Sequence, residues 1–96
     1  MIGVTTAQRE LIEKAMTKQH IDILEILLSG HDESTIILKP YLETAAKEGW
    51  IKVVKVLVQH GAVITNDIIQ LAKDNGHNGT AHYLAITKVR QNRKKG

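Results

Sequence analysis

The sequence predicts an all-α domain, a helical solenoid of about three antiparallel helix pairs with short connecting turns. Residues 41–62, YLETAAKEGWIKVVKVLVQHGA, have the pattern of two short helices joined by a tight turn. A similar pattern occurs upstream, ending at Gly30, and more loosely downstream, at residues 68–85. Because one such pair cannot bury its apolar surface alone, a tandem of pairs is expected to stack.

The second helix of the central pair is apolar over most of its circumference. Within WIKVVKVLVQ only Lys52, Lys55 and Gln59 are polar, and their spacing forms one narrow helical stripe. A helix with so narrow a polar stripe needs cover on its other sides, which predicts that it lies inside a stack. Gly49 stands just before it, where a helix end favours a positive φ.

The first pair repeats this pattern with acidic residues in the stripe. HIDILEILLS aligns with WIKVVKVLVQ, so that Asp22 and Glu25 take the places of the two stripe lysines. Thr5-Thr6-Ala7-Gln8 resembles a capping box, which predicts a first helix over residues 6–17. A second helix is expected from His20 to Ser29, ended by the glycine that follows.

The segment before the central pair fits two structures. Three consecutive aliphatic residues, 36–38, precede Pro40 and suit either an early helix start capped by Ser34 or Thr35, or an extended connector. We favour the early start, because proline is tolerated in the first helical turn, where N–H groups have no intrahelical partner.

In the third pair, Asn66 or Asp67 is predicted to cap a helix over residues 68–75, with Gln70 as the capping-box partner. The last helix is expected to begin at His77 and to reach about residue 92, because basic residues near its end complement the helix dipole. Residues 1–96 thus form one domain with repeats at about 5–31, 35–61 and 66–90, and a basic C-terminal tail at 91–96.

Two segments resemble the ankyrin repeat. LAKDNGH, residues 71–77, resembles the end of its inner helix and the turn, and VVKVLVQHGA, residues 53–62, is similar to its outer helix and the Gly-Ala that follows. The resemblance covers residues 8 to 90 on the repeat pattern. The chain lacks the Thr-Pro-Leu-His motif, and its periods are shorter than the usual length of about 33 residues. We therefore expect short turns in place of full β-hairpins.

Composition limits the classes of protein to which the chain can belong. Its 96 residues are 43% hydrophobic and 24% charged, with one tryptophan, two tyrosines and no phenylalanine, which predicts one small domain with an aliphatic core. There is no cysteine, and hence no disulfide or thiol chemistry. No apolar run reaches membrane-spanning length and the N-terminus lacks a signal-peptide pattern. We expect a cytoplasmic location, in the protein's own cell or in a host after delivery.

Residue types that support catalysis or metal binding do not form a known site pattern. His20 and His77 align with Trp50 at the turns, where the resemblance implies a packing role and where tryptophan could not act as a metal ligand. His, Asp and Ser occur together in residues 31–34, but a catalytic triad is assembled from separated elements. There is no phosphate-binding glycine loop or nucleotide motif. We expect no enzymatic activity, no metal and no cofactor.

The net charge of +3 arises at the C-terminal end. Residues 88–96 contain five basic residues and no acidic one, which leaves 8 basic against 10 acidic residues in the rest of the chain. A basic tail can bind nucleic acid through phosphate contacts, although no aromatic residue is present there to stack on bases. A nucleic-acid-associated factor is therefore the alternative function.

The ankyrin resemblance implies a rigid concave face, formed by inner helices and connectors, that binds a protein partner. Residues at these positions vary in charge between the copies, whereas the packing positions repeat. We predict a protein partner of unknown identity, no membrane span, and at most weak self-association through the ends of the stack. The predicted partner-binding residues are Glu13, Thr17, Lys18, Asp32, Glu33, Glu43, Lys47, Glu48, Thr65, Asn66, Gln70, Asp74 and Asn75.

Overall fold

The computed structural model describes residues 6–29 and 38–95 of the chain. Within these two ranges the regular secondary structure consists of six α-helices, with no strand. The predicted all-α class is therefore confirmed for this part of the chain. The helices are α1 (Thr6–Thr17), α2 (Ile21–Ser29), α3 (Lys39–Glu48), α4 (Ile51–Gln59), α5 (Asn66–Asp74) and α6 (Asn78–Lys95).

The same left-handed turn joins the two helices of each pair, α1–α2, α3–α4 and α5–α6. One residue in each turn has a positive φ, +56° at Gln19, +76° at Gly49 and +83° at Gly76. Its N–H donates to the carbonyl three positions back, over 3.0, 3.3 and 2.9 Å respectively. The next N–H donates five positions back, over 2.9, 3.0 and 2.9 Å, which completes a Schellman cap. The positive φ predicted at Gly49 is confirmed.

The start of α3 differs from the prediction. The helix begins at Lys39, and Leu38 occupies the N-cap position without a side-chain cap. Pro40 lies in the first turn, as expected. N–H groups in the first turn have no intrahelical acceptor, so the N–H that proline lacks costs the helix no hydrogen bond. A helix that started earlier would place the proline ring against the carbonyl four positions back. The early start is therefore wrong, and its expected caps, Ser34 and Thr35, lie outside the described residues.

The cap of α5 also differs from the prediction. Its N-cap is Thr65, which has an extended backbone and accepts the N–H of Ile68 on its hydroxyl at 3.4 Å. Asn66 and Asp67 are therefore not the caps but the first two residues of the helix. The threonine hydroxyl already satisfies the orphan N–H group that a cap serves. Gln70 bonds to a carboxylate one turn later, so it is not a capping-box partner.

The last helix, α6, is the longest of the six. It begins at Asn78, one residue after the expected start, and the carbonyl of His77 accepts the N–H of Ala81 at 3.0 Å. The helix continues to Lys95, so residues 91–95 of the expected tail have a helical backbone. The basic end of the chain is thus part of a helix with twice as many residues as α5.

Contacts between helices join the three pairs in chain order. Each helix packs against the other member of its pair, the first and second pairs meet through α2 and α4, and the second and third meet through α3 and α5. The core between them is aliphatic, as predicted. Its most deeply buried large side chains are Ile12, Met16, Leu24, Leu42, Val53, Val54, Leu57, Ile68 and Leu84. Each such side chain contributes about 1.5–3 kcal/mol by burial.

The helices form a compact body with a radius of gyration of 13.0 Å and extents of 32 × 32 × 20 Å. This radius is close to the value of about 12.5 Å that is typical of a folded chain of this length. Among the described helices, none combines the length and the apolar character needed to cross a bilayer.

Candidate interaction surfaces

Most of the predicted partner-binding residues are accessible on the surface of the described structure. Glu43 and Thr65 are half-buried. Asp32 and Glu33 lie outside the described residues. The exposed members are Glu13, Thr17, Lys18, Lys47, Glu48, Asn66, Gln70, Asp74 and Asn75.

Three members in each pair occupy equivalent places along the first helix and the start of its turn. They stand one, two and six positions before the residue with positive φ in all three pairs, counted from Gln19, Gly49 and Gly76. Because α3 packs directly against α5, the structure brings the second and third sets onto neighbouring helices. The set on α1 belongs to the first pair, which meets the second through α2 and α4.

Three of the predicted residues form hydrogen bonds at the ends of their own helices. The Thr17 hydroxyl donates to the carbonyl of Glu13 at 2.9 Å, and the Asn75 amide donates to the carbonyl of Leu71 at 2.8 Å. Thr65 caps α5. The Thr65 bond satisfies an N–H group that the helix end leaves without a partner, and the Thr17 and Asn75 bonds tie these side chains to their own backbone. The three residues therefore have a structural role that requires no binding partner.

The charged members form a mixed and mainly acidic surface. One carboxylate, Asp74, accepts the side-chain amide of Gln70 at 2.9 Å, a bond between residues one turn apart on α5. Glu43 and Lys47 have the same spacing on α3. Among the members that the structure describes, the acidic ones are Glu13, Glu43, Glu48 and Asp74, and the basic ones are Lys18 and Lys47.

The connector between α4 and α5 adds an apolar side chain to this surface. Val63 is 69% exposed, whereas its neighbours Ala62 and Ile64 are both only 3% exposed and anchor the connector to the core. Val63 stands two residues before Thr65 and three before Asn66. An accessible aliphatic side chain next to polar ones is a common arrangement in protein interfaces.

A second candidate is the basic sequence of α6. The helix contains five Lys or Arg residues and no Asp or Glu. Arg90 is exposed and Lys88 is half-buried. The Gln91 amide donates to the carbonyl of Ala62 at 3.5 Å, which holds this part of α6 near the connector after α4.

The turn histidine of the third pair contacts the turn of the second. A Cβ atom built on Gly49 would stand 2.6 Å from Cε1 and 2.7 Å from Cγ of His77, so the imidazole lies directly over the glycine. The packing role expected for His77 agrees with this contact. In residues 6–29 and 38–95, no group of three His, Cys, Asp or Glu residues is placed to hold a metal ion.

One apolar surface is missing from the predicted set. Leu11, Ile23 and Ile26 are 53%, 49% and 70% exposed. The sequence contains a signal for them, since each aligns with an apolar residue of the second pair. Alignment alone, however, does not show which of two aligned residues is exposed to solvent.

Comparisons with protein-family models, with curated proteins and with solved structures find no match to this chain. Its function is therefore inferred from the helices and surfaces described above.

Proposed function

We propose that this chain is an ankyrin-like solenoid of three helix pairs that acts as a non-enzymatic protein-binding module. The observation that carries the proposal is the recurrence of one turn geometry at Gln19, Gly49 and Gly76, in helix pairs that follow one another at nearly regular intervals. A repeat architecture requires such equivalent connections, because each pair must present the same kind of face to the next.

The contacts between pairs also favour stacking. The first and second pairs meet through their second helices, α2 and α4. The second and third pairs meet through their first helices, α3 and α5. Buried positions recur between the first pair and the second. Leu24 and its counterpart Val54 are both 0% exposed, and Ile12 and its counterpart Leu42 are 1% and 0% exposed.

The partner is proposed to bind across the exposed sides of α1, α3 and α5 and the connector at residues 61–65. These elements present residues that differ in charge at equivalent positions, on a framework whose buried positions repeat. A face with more carboxylates than ammonium groups suits a partner segment that is polar and mainly basic. Val63, exposed on the connector, supplies an apolar contact beside the charged residues.

A charge-reversed variant tests this assignment. We expect the triple substitution Glu43→Lys, Lys47→Glu and Asp74→Lys to abolish capture of a protein partner, because it inverts the charge pattern across α3 and α5 while leaving buried residues unchanged. The partner is first identified by pull-down from lysates, and its affinity for purified wild type and variant is then measured by calorimetry.

The matched control is Glu25→Lys, which changes the net charge by the same amount on the exposed side of α2. It should retain full affinity. Equal binding by the wild type and the triple variant would refute the assigned face. Equal loss in the triple variant and in Glu25→Lys would show a general charge effect.

The second candidate is a nucleic-acid-associated factor, favoured by the acid-free helix α6. Replacement of Arg90, Arg93 and Lys94 by glutamine removes three charges and keeps good helix formers. If this candidate is correct, the wild type binds RNA or DNA with an affinity that falls with salt, and the variant shows a smaller salt slope, by about 0.7–0.9 for each phosphate that is no longer neutralised. Absence of such binding by the wild type excludes it.

A further inference from the structure

The first helix pair exposes apolar residues at positions that the second pair buries. Ile26 is 70% exposed, whereas its counterpart Val56 is 3% exposed. Ile23 is 49% exposed, whereas its counterpart Val53 is 0% exposed. Leu11 likewise is 53% exposed, and its counterpart Tyr41 is 7% exposed.

For α2 and α4, the difference in exposure agrees with the order of the pairs. α4 packs against α2, a helix of the preceding pair, and we attribute the burial of Val53 and Val56 to this contact. On the first pair the equivalent side has no preceding helix pair within the described structure. We define this side as the end face, with the apolar residues Leu11, Ile23 and Ile26 at its centre. Lys14, Lys18 and Asp22 lie at its edge, because their counterparts in the second pair are also exposed.

The opposite end of the described structure does not present a similar surface. Val58 of α4 has as its counterpart on α6 the smaller Ala85, and both are half-buried. Ile86 and Val89 of α6 are 41% and 55% exposed, but Ile86 is the counterpart of the exposed Gln59. Ile86, and Val89 one turn later, therefore lie where α4 has its polar stripe. They do not lie on the side through which one pair stacks on the next.

The charges of the end face are divided between its two helices. Lys14 and Lys18 lie three and seven residues after Leu11, on the same stripe of α1 and the start of the turn, and both are exposed. On α2 the exposed Asp22 lies one turn before Ile26. The edge of the end face therefore has two lysines on the α1 side and one aspartate on the α2 side.

We propose that a second copy of this chain covers the end face, in a two-fold dimer that places α1 of each copy over α2 of the other. This arrangement sets the edge lysines of one copy against Asp22 of its partner. An isologous contact of this kind uses the same residues on both copies and closes at two subunits.

The positions of the residues along the two helices fit this pairing. With a rise of about 1.5 Å per residue, Leu11 lies about 9 Å from the turn end of α1, and Ile26 lies about 7.5 Å from the turn end of α2. With α1 of one copy antiparallel to α2 of the other and the turns at the same end, these two side chains meet. Lys14 then lies near Asp22 of the other copy, because both are within about 5 Å of the turn end.

The area of the end face makes the dimer weak. Two helices about 16 Å long and about 10 Å apart offer roughly 300–400 Å² per copy. Stable complexes bury about 800 Å² per partner, so we expect weak and transient association.

Sedimentation velocity and light scattering from micromolar to millimolar protein test the proposal. The wild type should pass from monomer to dimer with no larger species, and Ile26→Lys should raise the dissociation constant at least tenfold. The matched control is Val63→Lys, because Val63 is 69% exposed but lies on the connector. It should dimerise like the wild type. Circular dichroism verifies that each variant retains its helices.

A charge exchange provides a second, independent variant. Asp22→Lys should weaken the dimer by placing like charges together, and addition of Lys14→Asp should restore it. A wild type that stays monomeric throughout overturns the proposal, as does a dimer insensitive to Ile26→Lys. Oligomers that keep growing with concentration also overturn it, since they indicate end-to-end stacking. Ile26, Asp22 and Lys14 are not among the predicted partner-binding residues, whereas the control position Val63 lies on the connector assigned to the protein partner.

Discussion

Alanine substitutions at two turn glycines should differ in their effect on stability. Gly49 and Gly76 have nearly the same backbone, with φ of +76° and +83°. A Cβ on Gly76 would meet nothing within 4 Å, whereas one on Gly49 would collide with the ring of His77. We therefore expect Gly49→Ala to destabilise the protein by clearly more than Gly76→Ala.

The two costs can be separated. An L-residue in the left-handed region loses about 1 kcal/mol relative to glycine, and this loss applies to both variants. The overlap with His77 adds a further cost of about 1–3 kcal/mol at Gly49, because either the ring or the turn must move. In a domain of this size each kcal/mol lowers the Tm by about 4–8 °C.

Thermal and urea unfolding, followed by circular dichroism, measure the difference. The single tryptophan, Trp50, is half-buried beside Gly49 and gives a second signal for the transition. His77→Ala in both glycine variants completes the test, since removal of the ring should reduce the loss at Gly49 to that at Gly76. Equal losses in the two original variants, or a difference that survives His77→Ala, would refute the packing of His77 on Gly49.

Two further substitutions test the turn and the cap. Gln19→Gly should stabilise the protein by about 1 kcal/mol in urea unfolding, because glycine removes the left-handed strain at φ +56°; a loss of stability would contradict this. Thr65→Ala should cost about 1 kcal/mol through loss of the helix cap, whereas Asn66→Ala should change stability by less than about 0.5 kcal/mol; the reverse order would favour the cap predicted from sequence.

Local signals made much of the fold predictable from the sequence. The bounds of α1 agree with those predicted from the capping-box pattern, whose Thr5 lies outside the described residues, and from the helical pattern. The φ of Gly49 follows from a glycine at a helix end. The start of α3 did not follow, because the aliphatic residues 36–38 favour a helix while Pro40 excludes one that passes through it. Glutamine gives no indication of a left-handed backbone, so the conformation of Gln19 could be predicted only from its alignment with Gly49 and Gly76.

The candidate surfaces were predictable only in part. Repeat alignment locates the exposed positions on α1, α3 and α5, because exposure follows from helical period and from the shared turn. It does not separate residues available to a partner from those bonded within their own helices, such as Thr17 and Asn75. Self-association through the ends of the stack was predicted, but the residues of the end face were not, since the exposure of Ile26 depends on which helices pack against α2 and not on residue type.

The two proposed surfaces would act together on a partner that carries two binding segments. A two-fold dimer presents the partner-binding face twice, so the second contact becomes intramolecular and apparent affinity rises. Ile26→Lys should remove that gain while leaving affinity for a single-segment fragment unchanged, because Ile26 lies outside the binding face. Calorimetry at protein concentrations above and below the dimer dissociation constant measures both effects. Weaker binding of the single-segment fragment by Ile26→Lys would show that the end face contacts the partner directly.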